Sequence, residues 1–281
     1  MSCLLLVDGS NLLFRMFFGM PSRIKNRQGR PIHGVLGFVG ALLKIIGMTK
    51  PTHIVVLFDG KHENTRTTLN DAYKANRVDY SSVPEEGNPF SQLTDIYLAL
   101  DFLGIQYYET TTCEADDLIA GYTLRHKASL SIVISSLDSD FFQLIDDNVS
   151  LLRYRGKSTV ICDSKYIYDK FGIKPPQYAD FKALTGDPSD NIKGAERVGP
   201  KTAAMLLNHF DTLSNVLAKV DSINKPSIQS SIAKDSDRLR TNYQIIKLEG
   251  MDELPYTLNE LEFHDKLMST SKVLSAIGLY P

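Results

Sequence analysis

Short apolar runs, each stopped by an acid or a polar cluster, alternate along the first half of the chain with longer stretches of helical period. Residues 3–7 and 54–58 are continuous apolar runs of strand length, the pattern of strands buried on both faces. Residues 105–108, 132–135 and 149–152 are further strand candidates. Residues 34–46, which follow a polar loop at 22–30, read as an amphipathic helix, as do 95–103 and 115–126. This order predicts an α/β fold with a mostly parallel central sheet flanked by helices. Residues 61–92 break the alternation: they are basic, then rich in Ser, Pro, Gly and Glu, and longer than most connections, which marks a functional excursion. Beyond about Pro175 no strand is predicted, and short helices are punctuated by Gly186-Asp187-Pro188, Gly194 and Gly199-Pro200. The chain thus divides into a core over 1–175, with its excursion at 61–92, and a helical subdomain over 176–281.

Acids stand directly after the predicted strands. Asp8 follows 3–7, Asp59 follows 54–58, and Asp138 and Asp140 follow 132–135. In an open α/β sheet, ligands bind in the crevice beyond the carboxyl ends of the strands, so separate pieces of chain would deliver these acids to one place. Another piece, Glu114-Ala115-Asp116-Asp117, opens a helix. At about 100° per residue, Glu114 and Asp117 fall roughly 60° apart on one face, with Asp116 on its flank. Each piece alone has a plain explanation. Asp8-Gly9 and Asp59-Gly60 are also hairpin-turn dipeptides, and acids in a first helical turn favour the macrodipole. Together they do not: two carboxylates ~5 Å apart repel by about 3 kcal/mol at an effective dielectric near 20. A crevice holding six or more implies divalent cations, and an all-oxygen donor set suits Mg²⁺ or Mn²⁺ rather than zinc.

The chemistry implied is phosphoryl transfer, in which two metals ~3.5–4 Å apart activate a water and stabilise the leaving oxygen. The sequence lacks G-x-x-x-x-G-K-[ST], so this is not a P-loop nucleotide site. A phosphatase of the haloacid-dehalogenase type places a second Asp two residues after the first, where this chain has Ser10.

Charge distribution sharpens the picture more than composition does. The 281 residues are 43% hydrophobic and 23% charged, an ordinary globular balance for one large or two small domains. The net charge of −2 excludes a uniformly basic nucleic-acid-binding domain. Yet residues 1–80 carry +6, 81–150 carry −10 and 151–281 carry +2. A basic segment beside a strongly acidic one suggests a polyanion held next to a cation-filled site. Cys3, Cys113 and Cys162 form no C-x-x-C pair, which excludes a zinc knuckle or a disulfide framework and suits a reducing compartment. No apolar run approaches the ~18 residues of a membrane span, so a soluble cytoplasmic protein is expected.

The motifs LLLVDGSNLLFR (4–15), VLFDGK (56–61), YKANR (73–77), EADDLIA (114–120), DSDFFQLI (138–145), LTGDPSDN (184–191) and VGPKTA (198–203) together make the chain resemble the bacterial 5′-nuclease family. These are the flap endonucleases and 5′–3′ exonucleases, which include the N-terminal nuclease domain of bacterial DNA polymerase I. The resemblance implies a PIN-like core, a helical arch over 61–92 and a helix–three-turn–helix over 184–210. It assigns metal binding to Asp8, Asp59, Glu114, Asp116, Asp117, Asp138, Asp140, Asp187 and Asp190, the last two completing a second metal. Some paralogues are degraded at that second site; here both acids are present, so catalytic competence is expected.

The same resemblance assigns Arg66, Tyr73, Lys74 and Arg77 to a basic face at the base of the arch. On a helix Tyr73 and Arg77 would share one side. Tyr73 would stack on an unpaired base, a contact of ~1–3 kcal/mol, while Lys74 and Arg77 would hold the scissile phosphate. In the hairpin, Gly194, Arg197, Val198, Gly199, Lys201 and Thr202 would meet duplex DNA. Gly199 allows close approach, and the amides of Lys201, Thr202 and Ala203 would face an anion at a helix start opened by Pro200. The family also holds a K⁺ ion there. Arg197 is a departure, standing where the family pattern G-x-x-G-[IV]-G has glycine; a positive φ at that position would strain it. Ser139 is another, standing where many relatives have Lys.

Other residues keep structural readings. The six histidines show no ligand spacing; Met16, Phe17 and Phe18 are expected in the core, and Phe141, Phe142 and Leu144 are expected to pack the helix after the acidic pair. The function expected is that of a stand-alone, monomeric, structure-specific 5′ nuclease acting on DNA with a 5′ flap, gap or free 5′ end. Two-metal hydrolysis would leave a 5′-phosphate and a 3′-hydroxyl. The alternatives are a PIN-like ribonuclease and a non-catalytic protein that binds DNA junctions.

Overall fold

The computed structural model describes residues 2–20, 24–60, 66, 69, 70, 73–75 and 78–279. Six strands form one sheet: β1 (Cys3–Asp8), β2 (His53–Phe58), β3 (Gln106–Glu109), β4 (Ser131–Ser135), β5 (Val149–Arg153) and β6 (Val160–Cys162), in the order β3-β2-β1-β4-β5-β6. The first five are parallel, and β6 runs antiparallel to β5. The mostly parallel sheet is therefore as expected. The short edge strand β6 was not predicted: it spans three residues, two of them exposed, and is too brief to show a period.

Helix α1 (Gly9–Gly19) leaves the end of β1 directly, followed by α2 (His33–Thr49), α3 (Leu93–Leu103) and α4 (Ala115–His126). The Asp8-Gly9 pair is a strand-to-helix junction, not a hairpin turn, and the Asp8 carboxylate caps α1 by accepting the Asn11 amide at 3.0 Å. The pleat of β1 sends Leu4 and Leu6 to one face and Leu5 and Val7 to the other, and all four are fully buried. Leu5 and Val7 meet α1, α2 and α3 through Leu13, Val35, Phe38, Leu42 and Leu100. Leu4 and Leu6 share a cluster with Leu118 and Ile119 of α4 that continues without a break into the C-terminal helices.

Those helices are α5 (Ser164–Phe171), α6 (Tyr178–Thr185), α7 (Pro200–Phe210), α8 (Leu213–Ala218), α9 (Pro226–Lys234) and α10 (Ser236–Ile246), whereas α11 (Thr270–Ala276) buries Val273 and Leu274 in the cluster of Leu5 and Val7. Contrary to the expectation of no strand beyond Pro175, a two-residue pair, β7 (Gly186–Asp187) with β8 (Ile192–Lys193), closes the loop after α6. Gly186 adopts φ +82, and an added Cβ there would lie 2.5 Å from the Gly194 amide nitrogen, so the two backbones touch. After α10 the chain crosses α4 as a strap. Tyr122 donates its hydroxyl to the Tyr256 carbonyl and accepts the Tyr256 amide, both at 3.0 Å, while Phe263 donates its amide to Thr52 at 2.8 Å.

Phe141, Phe142 and Leu144 are buried as expected, and Phe17 is too. Phe18 is not: 54% exposed, it joins Phe14, Tyr80 and Phe90 in an aromatic cluster at the surface of α1. Much of the expected arch, including Arg77, lies outside the described residues. Its described C-terminal part, 78–92, consists of short 3₁₀ turns at Tyr80–Ser82, Glu85–Gly87 and Pro89–Gln92. Among the described residues, no helix is long and apolar enough to cross a membrane.

Candidate active site

The topology brings Asp8, Asp59, Asp116, Asp138 and Asp140 to one crevice. Because β2, β1 and β4 are parallel neighbours ~5 Å apart, their carboxyl ends present Asp59, Asp8 and the 136–140 loop side by side. Asp59 accepts the Ala115 amide at 2.9 Å, which anchors the N-terminus of α4 and sets Asp116 in the same crevice. Ser136 organises the centre: its hydroxyl donates to Asp8 Oδ2 at 2.7 Å and accepts the Asp138 amide at 3.0 Å. Asp138 in turn accepts the Asp140 amide at 2.9 Å.

The electrostatics are those of crowded negative charge. Burial, then Asp59, then Asp138 raise the Asp8 carboxyl to about 7, against hydrogen bonds from Asn11 and Ser136 that lower it. Asp140 is also pushed up to about 7, by burial and Asp138 against the pull of Lys182. Asp116 is raised well above the usual carboxylate range by burial, then by Asp138, Asp8 and Asp59. Four separate chain segments therefore share one field of negative charge, which Lys182 and Lys74 offset only in part. The donor set is all oxygen and lacks thiol or imidazole, which fits a hard divalent cation. Among the described residues, no three of these carboxylates converge on one point at ligand distances.

The outer acids pair with protein cations. Arg66 pairs with Glu114 and, at 2.5 Å, with Asp117; Lys74 also pairs with Glu114. Glu114 and Asp117 thus face the base of the arch, and only Asp116 of that trio faces Asp8, Asp59 and Asp138. Lys182 of α6 pairs with both Asp140 and Asp187. Burial would raise Asp187, but Lys182 and the hydrogen bonds from Ser189 outweigh it and hold that carboxyl below its ordinary value. Asp190 lies near Asp140, and its carbonyl accepts the Lys74 amide at 3.2 Å, joining the arch base to the β7–β8 turn.

Two expectations at the arch base need correction. Tyr73 and Lys74 lie in a turn, with Lys74 at φ +55, so the described residues 73–75 are not helical, and Arg77 lies outside the described residues. Tyr73 is 5% exposed and packs in the core cluster with Lys74 Nζ 4.8 Å above its ring, so it offers no open face to a base.

In the C-terminal hairpin, Arg197 does adopt the left-handed conformation, at φ +63. Gly199 is extended, with open space where a Cβ would be, and Pro200 begins α7. The Ala203 amide bonds the Gly199 carbonyl at 3.0 Å, so the amides left for an anion are those of Lys201 and Thr202. Val198 buries its side chain, and Arg238 ties the loop down by donating to the Gly194 carbonyl at 3.0 Å.

Sequence reasoning missed Ser136 and Lys182. Ser136 carried no charge to notice. Lys182 sits among buried residues of α6, the one signal that could have found it.

Comparison with known proteins accounts for nearly the whole chain. Residues 3–172 match the family model of the 5′–3′ exonuclease N-terminal resolvase-like domain, and 173–268 match the 5′–3′ exonuclease C-terminal SAM fold. DNA polymerase I of Thermus thermophilus is 34% identical over 247 residues, covering 87% of this chain and 28% of that protein. DNA polymerase I of Rhizobium leguminosarum is 35% identical over 268 residues, covering 92% and 26%. The chain therefore spans about a quarter of the length of these relatives. A zinc-bound structure of the T5 5′-exonuclease superposes with TM-score 0.72 at 22% identity, over 88% of this chain and 90% of that one. The catalytic core of Rad2 with a DNA substrate superposes with TM-score 0.63 at 16% identity, over 100% and 89%. These superpositions show a shared fold.

Proposed function

The chain belongs to the 5′–3′ exonuclease family, and from that membership we propose that it is a divalent-metal-dependent, structure-specific 5′ nuclease acting on DNA. The observation that carries this reading is the shared, pKa-raising field of Asp8, Asp59, Asp116, Asp138 and Asp140 at the carboxyl ends of adjacent strands. Those five, with Asp187 and Asp190, would hold two divalent cations, Mg²⁺ or Mn²⁺. Bound there, the ions supply a water of lowered pKa and stabilise the leaving oxygen.

The protein's own groups do the rest. Ser136 fixes the orientation of Asp8 and of the loop that carries Asp138. Arg66 and Lys74 stand at the edge of the acid cluster, where they would meet the charge that builds on the phosphoryl group. The amides of Lys201 and Thr202, with Arg197 and Gly199, would meet duplex phosphate, and a K⁺ ion in that hairpin belongs to the same reading. Hydrolysis would leave a 5′-phosphate and a 3′-hydroxyl. The substrate would be DNA bearing a 5′ flap, gap or free 5′ end. The reading divides the chain into a core at 1–175 and a helical DNA-binding part at 176–281, acting as a monomer in the cytoplasm. Three free cysteines suit that compartment.

The test is a 5′-flap duplex incubated with Mg²⁺ or with EDTA, using the wild-type protein and Asp138→Ala. Cleavage near the junction that disappears in EDTA and in the variant is expected. Binding without cleavage, unchanged by the substitution, would overturn the enzyme reading in favour of a junction-binding protein. Cleavage of a matched RNA but not the DNA would turn it into a ribonuclease.

A further inference from the structure

The β5–β6 hairpin carries three cations that the acidic crevice does not use: Arg153 at the carboxyl end of β5, then Arg155, then Lys157 at the exposed tip. Arg15 approaches them from α1. It sits beside a small pocket of about 10 Å³, room for about one water, shared with Asn11, Ser136 and Tyr154. The Ser136 that lines this pocket is the same residue that donates to Asp8, so the arginines border the acid cluster through a shared wall. By strand count, the end of β5 lies two spacings from the end of β1, roughly 10 Å from Asp8.

The arginines are held rather than neutralised. Arg153 donates to the Leu137 carbonyl at 2.6 Å and lies 5.5 Å over the Phe142 ring. Among the described residues, no carboxylate pairs with Arg15, Arg153 or Arg155. The buried Nε atoms of both Arg15 and Arg153 have no hydrogen-bond partner. Burial and the neighbouring charges of Arg155 and Arg153 lower the affinity of Arg15 for its own proton. Three guanidinium groups gathered without an acid, two of them with an orphaned buried donor, form an arrangement that an anion would complete.

We propose that Arg15, Arg153 and Arg155 form a phosphate-binding site for the DNA backbone on the β5 side of the acidic crevice. The inference rests on the nuclease reading and adds to it a third anchor, distinct from the arch base and from the hairpin at 194–202. Arg153 and Arg15 are the fixed part of the anchor. Arg155, exposed on a turn made by Gly156 at φ +60, is the part that can follow the strand. A phosphate seated here would hold the duplex at a set distance from Asp8 and Asp138.

The test measures binding of a labelled 5′-flap duplex in EDTA across a salt series, for the wild type, Arg155→Ala, Arg155→Glu and Arg15→Gln. Arg155 is exposed, so its variants should fold, and thermal midpoints would verify that. We expect Arg155→Ala to weaken binding three- to tenfold at about 0.1 M salt and to lower the slope of log K against log salt by about 0.9. Arg155→Glu should weaken it further. Neutral methylphosphonates placed singly along each strand should abolish the Arg155→Ala effect at one position, which identifies the phosphate. Unchanged affinity and slope in folded Arg155→Ala and Arg155→Glu, while the wild type binds, would overturn the site. So would an Arg155-dependent shift with inorganic phosphate alone and none with duplex. A wild type that binds no duplex would sink the nuclease reading itself.

Discussion

Lys182 and Asp140, 42 residues apart in sequence, form a buried ion pair at the boundary between the sheet and the C-terminal helices. The same ammonium pairs with Asp187, so one protein cation lies where two acids from different parts of the chain meet.

Removing that cation strands two buried carboxylates. Lys182→Met is expected to destabilise the metal-free protein by about 3–5 kcal/mol, the cost of breaking a buried pair from one side. Divalent cation should recover much of the loss. Thermal unfolding in EDTA and in Mg²⁺ measures both effects, and an unchanged midpoint in EDTA would show that the pair does not support the fold.

The pH dependence of the metal-free protein follows from Asp8 and Asp140, each raised to about 7 from an ordinary value near 4. Between those limits the folded state holds more protons than the unfolded state. These groups therefore contribute most below about pH 4, and that contribution is lost as pH rises toward 7. In EDTA the unfolding midpoint should fall from pH 4.5 to 7.5, and Asp8→Asn should flatten the fall. A midpoint that rises across the window, with no difference in the variant, would contradict the assignment.

Ser136 orients Asp8 and the Asp138 loop. Ser136→Ala should raise the Mg²⁺ concentration needed for half-maximal cleavage by roughly 10- to 100-fold, the usual effect of losing a group that orients a ligand. Metal titrations of flap cleavage measure it. An unaltered titration curve would mean that backbone geometry alone sets these carboxylates.

Arg197 holds a left-handed conformation at φ +63 that costs a non-glycine residue about 1–2 kcal/mol. Arg197→Gly should release part of that strain and raise the unfolding midpoint by about 2 °C. Arg197→Ala should bring no such gain. If both variants behave alike, the strain is absorbed elsewhere in the turn.

These residues also mark what the chain made legible. The continuous runs at 3–7 and 54–58 have the length and pattern of strands buried on both faces, and acids at their ends followed from parallel topology. Helix α1 was hidden because its apolar residues are nearly unbroken from Leu12 to Phe18, which erases the helical period. The β7–β8 pair was hidden because two residues carry no alternation. Which acids face one another and which face a cation depends on Arg66, Lys74 and Lys182, residues brought in from 40 to 51 positions away. Periodicity describes local geometry, and such pairings form only when distant elements close. Tyr73 shows the same limit: an aromatic in a basic segment looks available for stacking, and the fold spent it on the core.

Thr52 gives the molecule a mechanical property. Its hydroxyl and amide engage Cys3 at the start of β1, at 3.0 and 2.9 Å, and its carbonyl receives the Phe263 amide at 2.8 Å. Tension applied between residues 3 and 263 would enter the sheet at this node, at the opposite end of the strands from the acids. A tether, a fusion partner or a surface attached at both ends would load that corner first. The crevice would stay outside the path of the force until the node gave way.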